Sequence, residues 1–170
     1  MSQNVIKNSM LVVLTYEIYE KSEILEQVEN PVTLIHGQGK KLLPKIEEAL
    51  VGKKTGDIVD ITINPKEGFG EYDKSMIIKD RVSNVPEQFR KLDETIAFVN
   101  KSGDKKDFRV VAIENDEITL DGNHYLSGKT LTYKIKILDV RESTEYDREQ
   151  DKLSLLNSWN FITKLNSYWE

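Results

Sequence analysis

Two turn-rich runs constrain this chain more than any other feature. The first is Ile63-Asn64-Pro65-Lys66-Glu67-Gly68-Phe69-Gly70-Glu71-Tyr72, and the second is Asp121-Gly122-Asn123-His124-Tyr125-Leu126-Ser127-Gly128-Lys129-Thr130-Leu131. Each adjoins a segment of period-two hydrophobicity. Asp57–Ile63 places Val59, Ile61 and Ile63 on one side and Asp60 and Thr62 on the other, and Thr130–Val140 alternates in the same way. Alternation of this kind marks strands with one buried face. The stretch between the runs has strand candidates of its own at Met76–Ile78, Ile96–Val99, Phe108–Ile113 and Ile118–Leu120. Gly103-Asp104 and Asn115-Asp116 mark its hairpin turns. One small β domain is therefore interrupted by a second module and then resumed.

Before the first run, Met10–Tyr19 reads as a strand through Val12, Val13, Thr15, Tyr16, Ile18 and Tyr19. A mostly polar stretch, Glu20–Asn30, follows, and Pro31–Ile35 is a short second strand. After the turn His36-Gly37-Gln38-Gly39, Lys41–Leu50 has helical spacing, with Leu42, Leu43, Ile46, Ala49 and Leu50 near one face. Pro44 belongs in its first turn, where a missing N–H costs nothing, and Gly52 ends it. At 170 residues the chain holds one ordinary domain or two small ones. Its net charge of −5 argues against nucleic-acid binding, which favours a basic face. With no cysteine, disulfides and thiolate metal sites are excluded, and the two histidines alone make a poor metal site. No signal core precedes the first strand, and no stretch approaches the ~20 apolar residues of a membrane span. A cytoplasmic protein without membrane contact is expected.

Four motifs fall in a fixed order: His36-Gly37-x-Gly39 before a short helix; Gly52-Lys53-Lys54-x-Gly56-Asp57; Pro65-x-x-Gly68-Phe69-Gly70-x-Tyr72; and Gly122-Asn123-His124-x-Leu126-x-Gly128-x-x-Leu131. In this order they resemble the SlyD-type branch of the FKBP peptidyl-prolyl isomerases over roughly residues 8–142. The resemblance implies a β-rich α+β fold, an FKBP-like curled antiparallel sheet around a short helix. It also implies a discontinuous isomerase domain, residues 1–71 and 124–142, with an insert-in-flap chaperone domain at 72–123. It implies a pocket lined by Tyr16, Leu42, Leu43, Ile46, Phe69, His124, Leu126 and Tyr133, with Tyr16 offering its hydroxyl to a substrate carbonyl. The partners it implies are unfolded or proline-containing polypeptides, with no cofactor.

This chemistry needs no nucleophile. Amide resonance sets a barrier of about 18–20 kcal/mol to peptide rotation. The twisted amide is less polar than the planar one, so an apolar, water-excluding surface with one or two donors favours it. Two departures from the family pattern stand out. Where relatives commonly carry a pocket-facing Asp, alignment on Leu25 and Pro31 places Gln27, with Glu26 and Glu29 nearby. The His-rich metal-binding tail is absent, so nickel handling does not carry over. Instead residues 143–170 read as an amphipathic helix opening at Thr144-x-x-Asp147, with Leu155, Trp159, Ile162, Leu165 and Trp169 as a stripe widened by Leu156, Phe161 and Tyr168. That stripe serves either packing on its own domain or contact with a second copy or a partner. His36 is assigned to turn packing and His124 to a pocket wall. Two rival readings remain from the sequence: a binding-only holdase weakened at Gln27, and an adaptor that recruits a partner through the tail.

Overall fold

The computed structural model describes residues 4–38, 41–99 and 101–157, with side chains to Ser154. The chain forms two compact units, one built from the segment up to Gly70 and again from Gly128, the other spanning Glu71–Ser127.

The first unit is an antiparallel sheet of β1 (Met10–Glu20), β2 (Glu23–Ile35), β3 (Ile58–Ile63) and β8 (Leu131–Glu142), in the order β2-β1-β8-β3. Alternation along β1 turns Val12, Leu14, Tyr16 and Ile18 inward, and β8 matches it with Leu131, Tyr133, Ile135 and Ile137. A bulge at Leu138, where Val13 faces Asp139 and Leu14 faces Ile137, resets the phase so that Val140 is buried again. Helix α1 (Pro44–Leu50) starts with Pro44 at its first position and buries Ile46 and Leu50. His36 stabilises its far end. The His36 ring is buried, and its Nε2–H donates to the Glu47 carbonyl at 2.9 Å, which fixes the tautomer.

The strand pattern expected at Pro31–Ile35 extends back to Glu23. Glu20–Asn30 looked too polar for a strand because β2 is an outer strand of the sheet, with most side chains half-buried or exposed. Pairing with β1, through two register shifts, holds it extended. The C-terminal helix α2 (Glu145–Asn157) begins at Thr144, whose Oγ1 accepts from Asp147 N while the Asp147 carboxylate accepts from Thr144 N at 2.8 Å. Arg141 adds two bonds to the same carboxylate, at 2.7 and 2.9 Å. The apolar stripe from Leu155 through Trp159, Phe161, Ile162, Leu165, Tyr168 and Trp169 lies outside the described side chains, as does Gly39.

The second unit is an antiparallel sheet of β4 (Ile77–Arg81), β5 (Thr95–Val99), β6 (Lys105–Glu114) and β7 (Glu117–Asp121), in the order β4-β7-β6-β5. Val85, Ile96, Phe108, Val110, Ile118 and Leu120 form its core. The Asn115-Asp116 hairpin has both residues at positive φ, 52° and 64°, as a type I′ turn requires. Gly122 is glycine for space: a Cβ there would lie 2.7 Å from the Phe108 ring.

Each unit closes its own neck. In the first, Gly70, at φ 79°, accepts a hydrogen bond from Gly128 N at 2.8 Å. In the second, the Asn123 side chain accepts from Asp73 N and donates to Asp73 O, both at 2.8 Å. The strands entering and leaving the second unit are thereby clipped together.

Candidate active site

Six of the residues singled out in the sequence belong to the first unit, and all six are buried: Tyr16, Leu42, Leu43, Ile46, Phe69 and Tyr133. The sheet brings Tyr16 and Tyr133 together, because β1 and β8 are neighbours; their ring centroids are 6.0 Å apart with planes tilted by 36°. Tyr133 also pairs across the sheet with Ile61 of β3 and Ile18 of β1. Leu42 and Leu43 lead into α1, where Leu43 is the N-cap, and Ile46 follows one turn later. Phe69 stands between the capping box of Asn64 and Glu67 and the positive-φ Gly70.

Burial pushes the Tyr16 hydroxyl up to about 12, with the charge of Glu26 adding to the effect. At neutral pH Tyr16 is therefore a neutral donor and not an acid. The register explains the influence of Glu26. Tyr16 pairs with Val28 and Ile18 with Glu26, so Glu26 shares the inward face. Gln27 pairs with Glu17 and is exposed on the opposite face. The residue set beside Tyr16 is thus a carboxylate one position earlier than the sequence alignment placed it. A one-residue shift in a strand reverses which face a side chain occupies.

His124 and Leu126 fall in the second unit, where the sequence reading had the isomerase domain resume. Leu126 N donates to His124 Nδ1 at 3.1 Å, so that nitrogen is an acceptor and the proton sits on Nε2. Burial, with a smaller effect from Arg109, holds the ring down at about 4, and it is neutral at physiological pH. Its ring lies 4.6 Å from that of Tyr125. A neutral imidazole committed to a backbone donor is suited to lining a surface and poorly suited to moving protons. Among the described residues, no three His, Cys, Asp or Glu side chains group as they would to hold a metal ion, and no helix is long and apolar enough to cross a membrane.

Within the first unit, Tyr16, neutral at its hydroxyl, has the Tyr133 ring 6.0 Å away, and Leu42, Leu43, Ile46 and Phe69 of the same unit are buried as well. The family model for FKBP-type peptidyl-prolyl cis-trans isomerases matches residues 3–138. The chain belongs to that family. Its curated relatives include the FKBP-type peptidyl-prolyl cis-trans isomerase SlyD of Yersinia pestis, 30% identical over 148 residues that cover 82% of this chain and 73% of the relative. SlyD of Escherichia coli strain K12 is 28% identical, covering 82% and 72%, and SlyD of Vibrio cholerae is 29% identical, covering 82% and 71%. This FKBP-type protein is accordingly a peptidyl-prolyl cis-trans isomerase, and its substrates are proline-containing polypeptides.

Proposed function

We propose that this isomerase acts on X-Pro bonds of unfolded chains, with catalysis in the first unit and client capture in the second. Tyr16, Leu42, Leu43, Ile46, Phe69 and Tyr133 form the apolar surface that receives the prolyl ring. Tyr16 donates to the substrate carbonyl. The observation that carries this reading is the buried, protonated Tyr16, with the Tyr133 ring 6.0 Å from its own, in a unit that also buries Leu42, Leu43, Ile46 and Phe69. Such a surface excludes water, removes the solvation that favours the planar amide, and leaves one donor for the twisted one. No nucleophile, metal or proton transfer is required. Glu26 takes the place of the pocket-facing acid, which removes the reason for doubting activity that Gln27 had raised.

Client capture by the second unit is supported by its surface. Phe98, Val99, Leu92, Val111 and Ile78 are exposed around a small core, and β4 and β5 are outer strands of its sheet. Exposed apolar side chains next to strand edges suit the binding of extended, unfolded segments. A cytoplasmic setting accords with this role.

The test is excision. Replacing 72–123 with a short loop leaves the Gly70–Gly128 bond to close the first unit. Activity on a proline tetrapeptide, read without a coupling protease, is expected to persist, while acceleration of a proline-limited refolding reaction falls far more. Equal losses on both substrates would refute the division of labour.

A further inference from the structure

The approach to α1 is tied to the other end of the chain. Lys41 immediately precedes Leu42 and Leu43, and its Nζ donates to Asp151 Oδ1 of α2 at 2.6 Å and to the Thr33 carbonyl of β2 at 3.1 Å. Both charged side chains are nearly enclosed, Lys41 at 13% and Asp151 at 7% exposure. A lysine so close to the surface ordinarily keeps its ammonium in water, and enclosing two charges is costly unless the geometry is well satisfied. Here one ammonium joins three elements: the end of β2, the lead-in to α1, and α2.

Two further features give that junction a purpose. Helix α1 is only seven residues long and begins without a side-chain cap, because Leu43 occupies the N-cap position. The usual local device for fixing a helix entry is thus missing, and a helix this short is not rigid by itself. Helix α2, by contrast, is firmly held at its start by the Thr144–Asp147 box, by Arg141, and by Arg148, which donates to the Ser143 carbonyl at 2.9 Å. Asp151 follows Asp147 by four residues, so both lie on one face of α2. The carboxylate is therefore presented from a fixed support.

We propose that Lys41 and Asp151 are positioning residues of the isomerase: their bond holds Leu42 and Leu43 in place and so preforms the wall of the prolyl-binding surface. The C-terminal helix then acts as a part of the active-site scaffold. This rests on the reading of Leu42, Leu43 and Ile46 as substrate contacts. The pair acts on binding geometry and not on the reacting amide, so its loss raises KM and leaves kcat in place.

The experiment uses the full chain with Asp151→Asn, Asp151→Glu and the double change Lys41→Met with Asp151→Leu. For a proline tetrapeptide, Asp151→Asn is expected to raise KM about fivefold or more with kcat within about twofold, and Asp151→Glu, which keeps the carboxylate, to stay close to wild type. The double variant removes both charges together, so it folds without leaving a buried charge unpaired. It too is expected to show the raised KM, because apolar contact lacks the direction of the ion pair. The methyl resonances of Leu42 and Leu43 should shift in the Asn and double variants, and they read the wall without any turnover. Inactivity of the wild type would sink the function proposed above and leave the leucine shifts to judge the tether. An active wild type, with KM and leucine methyls unmoved in the double variant, overturns the positioning role alone.

Discussion

Tyr16→Phe isolates what the hydroxyl contributes. The ring stays, and with it the 6.0 Å approach to Tyr133 and the burial of the strand. Only one donor is lost. A hydrogen bond exchanged against water contributes about 0.5–1.5 kcal/mol net, which corresponds to roughly a twofold to thirteenfold fall in kcat/KM. Stability should move by less than about 1 kcal/mol, because no cavity opens. The assay is tetrapeptide isomerisation followed directly by NMR exchange, so that no protease reports the product. Unchanged kcat/KM would show that the hydroxyl does not meet the substrate carbonyl. A loss beyond about a hundredfold would also refute the reasoning, since a single neutral hydrogen bond cannot supply it. Glu26→Gln is the companion change. It removes the charge that helps hold the Tyr16 hydroxyl up and leaves the donor in place, so its effect should be smaller than that of Tyr16→Phe.

Two further outcomes are expected. Activity should be flat from about pH 6 to about pH 9, since Tyr16 stays protonated below about 12 and His124 stays neutral above about 4; a bell-shaped profile in this range would mean a proton transfer that the site does not supply. Because the His124 value is depressed in the folded state, its contribution to stability is present above the ordinary histidine value of about 6.5 and is lost as pH falls toward about 4; His124→Gln should flatten that part of the acid-unfolding curve. Asn123→Ala breaks three side-chain hydrogen bonds at the neck of the second unit, two with Asp73 and one to Asp121, a loss of about 1–3 kcal/mol in its denaturant stability, and tetrapeptide turnover should survive the change.

What the sequence disclosed and what it withheld divide along physical lines. The inserted β unit was legible because its signals are local. Asn115-Asp116 is a turn that few residue pairs can make, and Ile96, Phe108, Val110, Ile118 and Leu120 alternate through short strands whose inward positions are the core. Pro44 at the start of α1 was legible for the same reason, since φ and the missing donor act within one residue. The front half of β2 was not. Its residues are polar because the strand is an outer one, and only pairing with β1 keeps them extended, so tertiary context overrides propensity there.

The site shows the same division at finer scale. Of the apolar residues that the resemblance implied, Tyr16, Leu42, Leu43, Ile46, Phe69 and Tyr133 are buried in one unit, while Leu126 is buried in the other. The position of the carboxylate depended on register. The register shift between Ile18 and Tyr19 decides that Glu26, and not Gln27, shares a face with Tyr16, and bulges of this kind leave no reliable mark in composition. The Lys41–Asp151 bond lay further still from reach. Its partners are 110 residues apart, and each, taken alone, looks like an ordinary surface charge. Enclosure of the pair becomes visible only when β2, the lead-in to α1 and α2 are seen to converge. Long-range polar contacts of this kind carry no periodic signal, yet they decide whether a short, uncapped helix presents its leucines in one arrangement or several. For a catalyst that works by the shape and dryness of a surface, that choice bears directly on how tightly the substrate is held.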